Sequence, residues 1–108
     1  MVKQGDIIKI DFSSTIGSEQ WGYRTAIVIT NDFTISKTNI ISICPITTSN
    51  KKSSLNVELD ESTQTKGSIL CAHIKSVDLS IRKYKVIEQV SANKMNDVLK
   101  IIFAMYDN

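Results

Sequence analysis

The chain has 108 residues. Because domains commonly contain about 100–150 residues, we interpret residues 1–108 as a single domain. Hydrophobic residues make up 42% of the chain and charged residues 22%, which is ordinary globular usage and argues against a disordered or fibrous protein. Thirteen Lys and Arg against 11 Asp and Glu give a formal net charge of +2, which excludes a strongly basic nucleic-acid coat protein.

The N-terminal residues lack the apolar core of a signal peptide, and no apolar run approaches the length of a membrane span. We therefore expect a cytoplasmic protein with no membrane partner. Cys44 and Cys71 each lie inside an apolar run, which favours a place in the core over a disulfide or a nucleophilic role. A single histidine is too few for a Cys/His zinc cluster, so the sequence predicts neither a metal site nor a cofactor.

Short apolar stretches with the two-residue period of half-buried strands dominate the first 90 residues. The predicted strands cover residues 6–12, 24–30, 40–46, 55–59, 67–74 and 84–90. Residues 24–30 and 40–46 are almost continuously apolar, which indicates central strands covered on both faces. Polar stretches at residues 13–23, 31–39 and 47–54 are predicted to be loops.

The last segment changes to the period of an amphipathic helix. One stripe of apolar side chains recurs at helical spacing: Met95, Val98, Leu99, Ile102 and Tyr106. Ser91 is a suitable N-cap for this helix. The chain is therefore predicted to be mainly β, an antiparallel β-barrel closed by a C-terminal α-helix.

The residues that indicate a catalytic or binding site lie at the ends of two predicted strands. Arg24 begins one central strand, while Thr47 and Thr48 follow the other and are themselves followed by Lys51 and Lys52. If these strand ends are neighbours, a guanidinium, hydroxyls and ammonium groups share one rim, and a phosphodiester fits such a rim. In the absence of metal ligands, the accessible reaction is attack by a neighbouring 2′-hydroxyl, which RNA has and DNA lacks.

Several motifs of the chain occur in the order and at the separations of one known family. They are Gly5-Asp6-Ile7-Ile8, Asp11-Phe12, Gly17-Ser18-Glu19-Gln20, Gly22-Tyr23-Arg24, Cys44-Pro45-Ile46-Thr47, Leu70-Cys71 and Ile74-Lys75-Ser76-Val77-Asp78. With these motifs the chain resembles the MazF/PemK family of toxins from type II toxin–antitoxin systems over essentially its whole length.

The resemblance implies an SH3-like barrel of the MazF/PemK/CcdB type that forms a homodimer. It also implies sequence-specific, metal-independent cleavage of single-stranded RNA such as mRNA. The products would be a 2′,3′-cyclic phosphate and a 5′-hydroxyl. A cognate MazE-like antitoxin would block the RNA by inserting a disordered segment along the dimer groove.

The same resemblance assigns roles to individual residues. Arg24 matches the catalytic arginine and Thr47 the catalytic threonine, while Glu19 belongs to the loop beside the site. Arg24 suits stabilisation of the pentavalent phosphate better than proton abstraction, because arginine holds its proton above pH 12 in proteins. Glu19 is the hypothesised general base for the 2′-hydroxyl.

Further residues are expected to contact RNA: Ser18, Gln20, Trp21, Thr48, Lys51 and His73. Trp21 either folds back onto the barrel or stacks on a base or a partner side chain. His73 stands where the family usually has glutamine, and either replaces a base-contacting amide or acts as an acid–base group.

Three other departures from the family pattern concern Thr25, Leu70 and Ala72. Thr25 replaces the proline that usually follows the arginine. Leu70 and Ala72 stand where relatives carry an arginine and an acidic residue, so a mechanism that uses that pair is unavailable to this chain.

Two alternatives therefore remain beside the ribonuclease hypothesis. One is a CcdB-like toxin that poisons gyrase, which would not need a strand-end arginine. The other is a catalytically degenerate relative that binds RNA or antitoxin without cutting RNA.

Overall fold

The strands and helices are described from a computed structural model, which covers residues 1–11, 23–49 and 52–107. The strands of this part of the chain are β1 (Asp6–Asp11), β2 (Tyr23–Val28), β3 (Ile40–Thr47), β4 (Asn56–Glu58), β5 (Ser68–Leu70), β6 (Lys75–Asp78) and β7 (Tyr84–Gln89). The helices are α1 (Asp32–Ile35), α2 (Ala92–Tyr106), a first 3₁₀ helix (Cys71–His73) and a second 3₁₀ helix (Leu79–Ile81).

The strands form one antiparallel sheet in which β2 and β3 are central. The order is β4-β5-β3-β2-β1-β7, and β6 pairs with the part of β3 that β5 leaves uncovered. Helix α2 packs against β4 and the first 3₁₀ helix. The predicted class, mainly β with a C-terminal helix, is confirmed; β4 and β7 remain the two ends of the described strand order, so the sheet is barrel-like without a closed ring of strand pairs.

Alternating side chains of the central strands enter two hydrophobic cores, one on each face of the sheet. Ile27 of β2 belongs to the core beneath α2, whereas Ala26 and Val28 belong to the core that contains α1 and β6 residues. All three are at most 1% exposed. The prediction that this strand is covered on both faces is confirmed for these residues, and the period of two explains it.

Helix α2 begins where the sequence predicts. The Ser91 side chain accepts a hydrogen bond from the Lys94 backbone N–H at 3.2 Å, which caps the helix. Of the predicted stripe, Met95, Val98 and Ile102 are buried, but Tyr106 is 71% exposed because it lies in the last turn beyond the core. No helix in residues 1–11, 23–49 and 52–107 has the length and apolar character needed to cross a membrane.

Two local predictions were wrong. Residues 31–39 are not entirely loop, because the Asn31 side chain accepts from the Thr34 N–H at 2.8 Å and caps the single turn of α1. The strand predicted at residues 67–74 ends at Leu70, where the first 3₁₀ helix follows. The physical reason is that β5 and β6 pair with different parts of the same edge of β3. The chain therefore has to leave the sheet after β5 and rejoin it at β6, and the first 3₁₀ helix lies in that connection.

Both cysteines lie in the core, as predicted. Cys44 and Cys71 are free thiols with no exposed surface. Burial raises the pKa of the Cys44 thiol to about 12 and that of Cys71 to about 11, and for Cys44 the neighbouring Cys71 adds to the effect. Thiols in this state are protonated near neutral pH, which favours a packing role over a nucleophilic one.

Candidate active site

Strands β2 and β3 bring Arg24 and Thr47 to the same edge of the sheet. Strand β2 is exposed at its first two residues and buried at its last three. The two strands are antiparallel, with Ala26 opposite Pro45. The pairing ends at these two residues, and Arg24 precedes Ala26 by two positions while Thr47 follows Pro45 by two, so both lie beyond the same end of the ladder. The beginning of β2 and the end of β3 therefore supply a guanidinium and a hydroxyl at one edge of the sheet.

A cavity of about 710 Å³ lies over this edge of the sheet. Three of the predicted site residues line it together: Arg24, Thr47 and His73. The lining also contains two cations that sequence reasoning did not assign to a site, Lys75 and Arg82. The remaining lining residues are Thr25, Ala26, Ile43, Pro45, Ile46 and Leu70. The cavity thus combines an apolar wall of five residues with six polar side chains.

Arg82 reaches the cavity from the segment between the second 3₁₀ helix and β7. Its Nη1 donates to the carbonyl oxygen of Asp11 at 3.3 Å, and the Asp11 N–H donates to the carbonyl oxygen of Lys83 at 2.9 Å. Strand β1 in turn pairs Ile10 with Arg24, so these contacts hold Arg82 near the start of β2. Asp11 and Arg82 are 71 positions apart in the chain, and no local spacing in the sequence could have revealed this approach.

Lys75 enters the cavity from β6, where it lies opposite Ile43 of β3. Directly opposed residues share a face of the sheet, and both residues line the cavity. Sequence reasoning missed Lys75 as a site residue because it predicted no strand between residues 74 and 84. The ladder between β6 and β3 is what directs this lysine.

His73 is the last residue of the first 3₁₀ helix. The first residue of that helix, Cys71, is fully buried, whereas His73 is exposed. The helix packs against α2 and β3. The core therefore holds one end of this short helix while the imidazole at its other end lines the cavity.

The charged side chains among the described lining residues are all cations. Arg24 and Lys75 come from β2 and β6, and Arg82 comes from the segment before β7; no Asp or Glu belongs to the lining that the structure describes. Convergent cations in a concave site raise the local positive potential and attract anions. Because an arginine fork can bind two phosphate oxygens at once, the arrangement suits a phosphodiester.

The Thr47 hydroxyl is held at the rigid end of β3. Its oxygen accepts a hydrogen bond from the Ser49 N–H at 3.1 Å, which uses a lone pair and leaves the hydroxyl proton for another acceptor. Strand β5 pairs Ser68 with Thr47, and the preceding Gly67 has φ +125°. A Cβ at Gly67 would collide with the Thr47 carbonyl oxygen, so only glycine permits this close approach.

Thr48 is not part of the same cavity. It is exposed and lines a second cavity of about 340 Å³ that also contains Lys52 and Lys66. Lys52 Nζ lies 3.5 Å from a carboxylate oxygen of Glu58, and both side chains are largely exposed. The structure therefore separates Thr48 from the cavity that contains Arg24.

Five predicted site residues lie outside the described residues: Ser18, Glu19, Gln20, Trp21 and Lys51. The role of Glu19 as general base and the RNA contacts of the other four remain predictions.

Comparison with known proteins agrees with this fold. Residues 3–106 match the family described as "PemK-like, MazF-like toxin of type II toxin-antitoxin system". The chain is similar to Endoribonuclease EndoA of Bacillus subtilis (strain 168), with 29% identity over 114 aligned residues that cover 99% of this chain and 98% of the relative. It is also similar to Endoribonuclease toxin MazF of Escherichia coli (strain K12), with 36% identity over 73 residues that cover 68% of this chain and 65% of the relative.

A solved MazE–MazF structure from Deinococcus radiodurans has the same fold. It superimposes with a TM-score of 0.84 at 20% sequence identity, covering 98% of this chain and 95% of that chain. Since the family match extends over nearly all residues, the chain belongs to the PemK-like, MazF-like toxins of type II toxin–antitoxin systems.

Proposed function

We propose that the chain is an endoribonuclease toxin that cuts single-stranded RNA, including mRNA, at specific sequences and without a metal ion. The observation that carries this proposal is the cavity in which Arg24 and Thr47 meet two further cations, Lys75 and Arg82. The Bacillus and Escherichia relatives are named as endoribonucleases, which supports RNA as the substrate.

The reaction uses the 2′-hydroxyl of the RNA itself as the nucleophile. Its oxygen bonds to the adjacent phosphorus while the bond from phosphorus to the 5′-oxygen breaks, which yields a 2′,3′-cyclic phosphate and a 5′-hydroxyl. Negative charge accumulates on the non-bridging oxygens of the pentavalent phosphorus. Arg24 stabilises that charge, Thr47 donates a hydrogen bond to it, and the cations fixed around the cavity need no rearrangement to act.

Proton abstraction from the 2′-hydroxyl requires a group other than arginine, because a guanidinium does not give up its proton in proteins. Glu19 is the proposed base, since a carboxylate accepts a proton readily near neutral pH. A Glu19→Ala variant that retained full activity would exclude this assignment.

Recognition of the RNA sequence is proposed to lie mainly in the loops predicted at residues 13–23 and 47–54. Ser18, Gln20 and Lys51 contact the nucleotides that flank the scissile bond, together with Thr48 at the second cavity and His73 in the main one. Trp21 stacks on a base. Single-stranded RNA is generally read by stacking and by hydrogen bonds to exposed base edges, which is the chemistry these side chains provide.

The proposed partners are a cognate antitoxin and a second copy of the chain. The Deinococcus neighbour was solved as a MazE–MazF complex, which supports a MazE-like antitoxin that covers the RNA site. Strand β7 is at one end of the sheet and exposes Tyr84, Val86 and Ile87, an apolar edge that favours a homodimer. The site of action is the cytoplasm, where mRNA is present.

One assay tests the activity. The purified chain is incubated with a long single-stranded RNA in EDTA, beside Arg24→Ala and Thr47→Val. We expect discrete cuts that persist in EDTA. Cleavage should fall by about 100-fold or more in Arg24→Ala, because loss of a preorganised charge-stabilising group has an effect of that order. Thr47→Val keeps the shape of the side chain, removes the hydroxyl and should also slow cleavage.

Lys37→Ala is the matched control, since Lys37 is an exposed cation that is absent from the cavity lining. It removes one positive charge and should leave cleavage unchanged. RNA binding without cuts would identify a degenerate relative, and inhibition of gyrase supercoiling without RNA cuts would identify a gyrase poison. Either result would refute the proposed activity.

A further inference from the structure

The proposed reaction requires a proton donor for the 5′-oxygen that leaves the phosphorus. When the bond from phosphorus to the 5′-oxygen breaks, that oxygen would leave as an alkoxide unless it receives a proton. A positioned general acid typically accelerates such a step by about 10²–10⁴-fold. The cavity is therefore expected to contain a side chain that can give up a proton.

His73 is the only residue of the described lining whose side-chain type exchanges a proton readily near neutral pH. Arginine and lysine retain their protons far above neutral pH, and a threonine hydroxyl is a very weak acid. A glutamate carboxylate such as Glu19 is ordinarily deprotonated near pH 7, so it can serve as a base but not as the acid. The acid role is thus the one that an imidazolium fills.

We infer that His73 is the general acid that protonates the leaving 5′-oxygen, an inference that rests on the proposed function. The 2′-hydroxyl proton goes to the base, and the bond from the 2′-oxygen to phosphorus forms. The electron pair of the breaking bond stays on the 5′-oxygen, which takes a proton from the His73 ring. The base then releases its proton to water and the imidazole takes a proton from water, so both groups return to their starting states and no other reactant is consumed.

The location of His73 supports this role. It reaches the cavity from the first 3₁₀ helix, whereas Arg24 and Thr47 come from β2 and β3, so three separate elements surround one space. Arg24, Lys75 and Arg82 are the charged groups that line this space with His73. A phosphodiester bound by these cations would lie in the same space as the His73 ring.

A substrate with a modified leaving group tests the inference directly. The cleavage site is first mapped on a long RNA, and two short oligonucleotides of that sequence are made. One has the natural 5′-oxygen at the scissile bond and the other has sulfur in its place. A thiolate departs without protonation, so the sulfur substrate does not need the general acid.

The variant is His73→Gln, whose amide can still hydrogen-bond to RNA but cannot transfer a proton. We expect this change to slow cleavage of the oxygen substrate by about 100-fold or more. Cleavage of the sulfur substrate should be nearly as fast as with the unaltered chain. Lys75→Gln is the matched control from the same cavity, and it should slow both substrates equally because positive potential acts on either leaving group. Thermal unfolding of both variants verifies that they are folded.

The other outcomes are distinguishable. If His73→Gln cuts the oxygen substrate at the normal rate, or slows both substrates equally, the imidazole only contacts or positions RNA and the inference is wrong. If the unaltered chain cuts no RNA at all, the proposed function itself fails and the inference fails with it.

Discussion

The two ends of the β2–β3 pair have opposite characters, although the same antiparallel ladder joins them. At one end Val28 lies opposite Ile43, and these side chains are 0% and 1% exposed. At the other end the ladder leads to Arg24 and Thr47, which line the cationic cavity. One pair of strands therefore supplies part of the core and part of the candidate active site.

The contrast shows how the fold positions a charged side chain. Arg24, Ala26 and Val28 are every second residue of β2, so their side chains lie on the same face of the strand. Ala26 and Val28 are buried in the core, and Arg24 is the exposed member of the three. Packing of the buried end holds β2 in place. The exposed end, which carries Arg24, is therefore held in position although its charge remains in contact with solvent. Substitutions at the buried end should consequently reduce stability, whereas substitutions at the exposed end should reduce RNA cleavage.

The largest effect on stability is expected from Ile27→Ala at the buried end. Ile27 has no exposed surface, and truncating a buried isoleucine to alanine lowers the free energy of unfolding by about 2–5 kcal/mol. Urea unfolding measures this loss. Cleavage per folded molecule, assayed at a temperature where the variant is still folded, should remain normal because the cavity lining is intact.

Phe33→Ala is the control for side-chain size, since Phe33 is 72% exposed. It should lower the free energy of unfolding far less than Ile27→Ala does. If folded Ile27→Ala lost cleavage as completely as Arg24→Ala, the separation between the two ends would be incorrect.

A smaller effect is expected from Arg82→Gln at the exposed end. The change removes one cation from the cavity and should weaken RNA binding by about tenfold, corresponding to about 1.4 kcal/mol. For single-stranded nucleic acid, each lost phosphate contact reduces the slope of log affinity against log salt by about 0.7. Binding titrations over a range of salt concentrations measure both quantities.

Arg82 also donates a hydrogen bond to the Asp11 carbonyl oxygen, so Arg82→Gln removes two contributions at once. The variant Arg82→Lys keeps the positive charge and therefore shows how much of the change in RNA binding is due to charge. A lysine should restore most of the salt dependence. Equal salt slopes for the unaltered chain and Arg82→Gln would mean that Arg82 contacts no phosphate, and its role would then be limited to holding β1.

Most of the fold could be predicted because strands and helices with one buried face have apolar residues at a regular spacing in the sequence. Strand β1 and helix α2 were recognised from alternating and helical apolar patterns that match their buried residues. Strand β6 was missed because Val77 is its only buried residue, so it has no apolar period of its own. Its existence depends on the ladder with β3, a long-range pairing that local patterns do not encode.

The candidate site likewise contains residues that local sequence patterns predict and residues whose positions depend on long-range pairing. Arg24 and Thr47 could be selected because each stands at an end of a recognisable strand and within a family motif. Arg82 and Lys75 could not, since their positions depend on β1 and on β6. Thr48 was grouped with Thr47 on the basis of adjacency, but successive residues of an extended chain point in opposite directions, and the two threonines line different cavities.

The smallest effect is expected from Glu88→Gln, which tests how the exposed end is supported from outside the cavity. The Glu88 carboxylate accepts from the N–H groups of Gln64 and Thr65 at 3.1 and 2.7 Å, and from the Thr65 hydroxyl at 2.6 Å. These bonds attach the β4–β5 connection to β7. The same connection leads into Gly67 and Ser68, which pack against Thr47.

The pKa of Glu88 is lowered, first by the Thr65 hydroxyl and then by the backbone N–H groups of Thr65 and Gln64. A carboxyl whose pKa is lower in the folded state stabilises the fold above its unfolded pKa, and that contribution disappears as the pH falls through the folded value. Thermal unfolding should therefore show a slightly lower Tm for Glu88→Gln at pH 7, with a difference that shrinks as the pH falls below the ordinary glutamate pKa of about 4.3 and vanishes below the lower folded-state pKa. Cleavage per folded molecule should not change, because Glu88 supports the connection and touches no cavity residue through these bonds. A difference in Tm that persisted at low pH would mean that shape at this position, rather than the carboxylate charge, holds the connection in place.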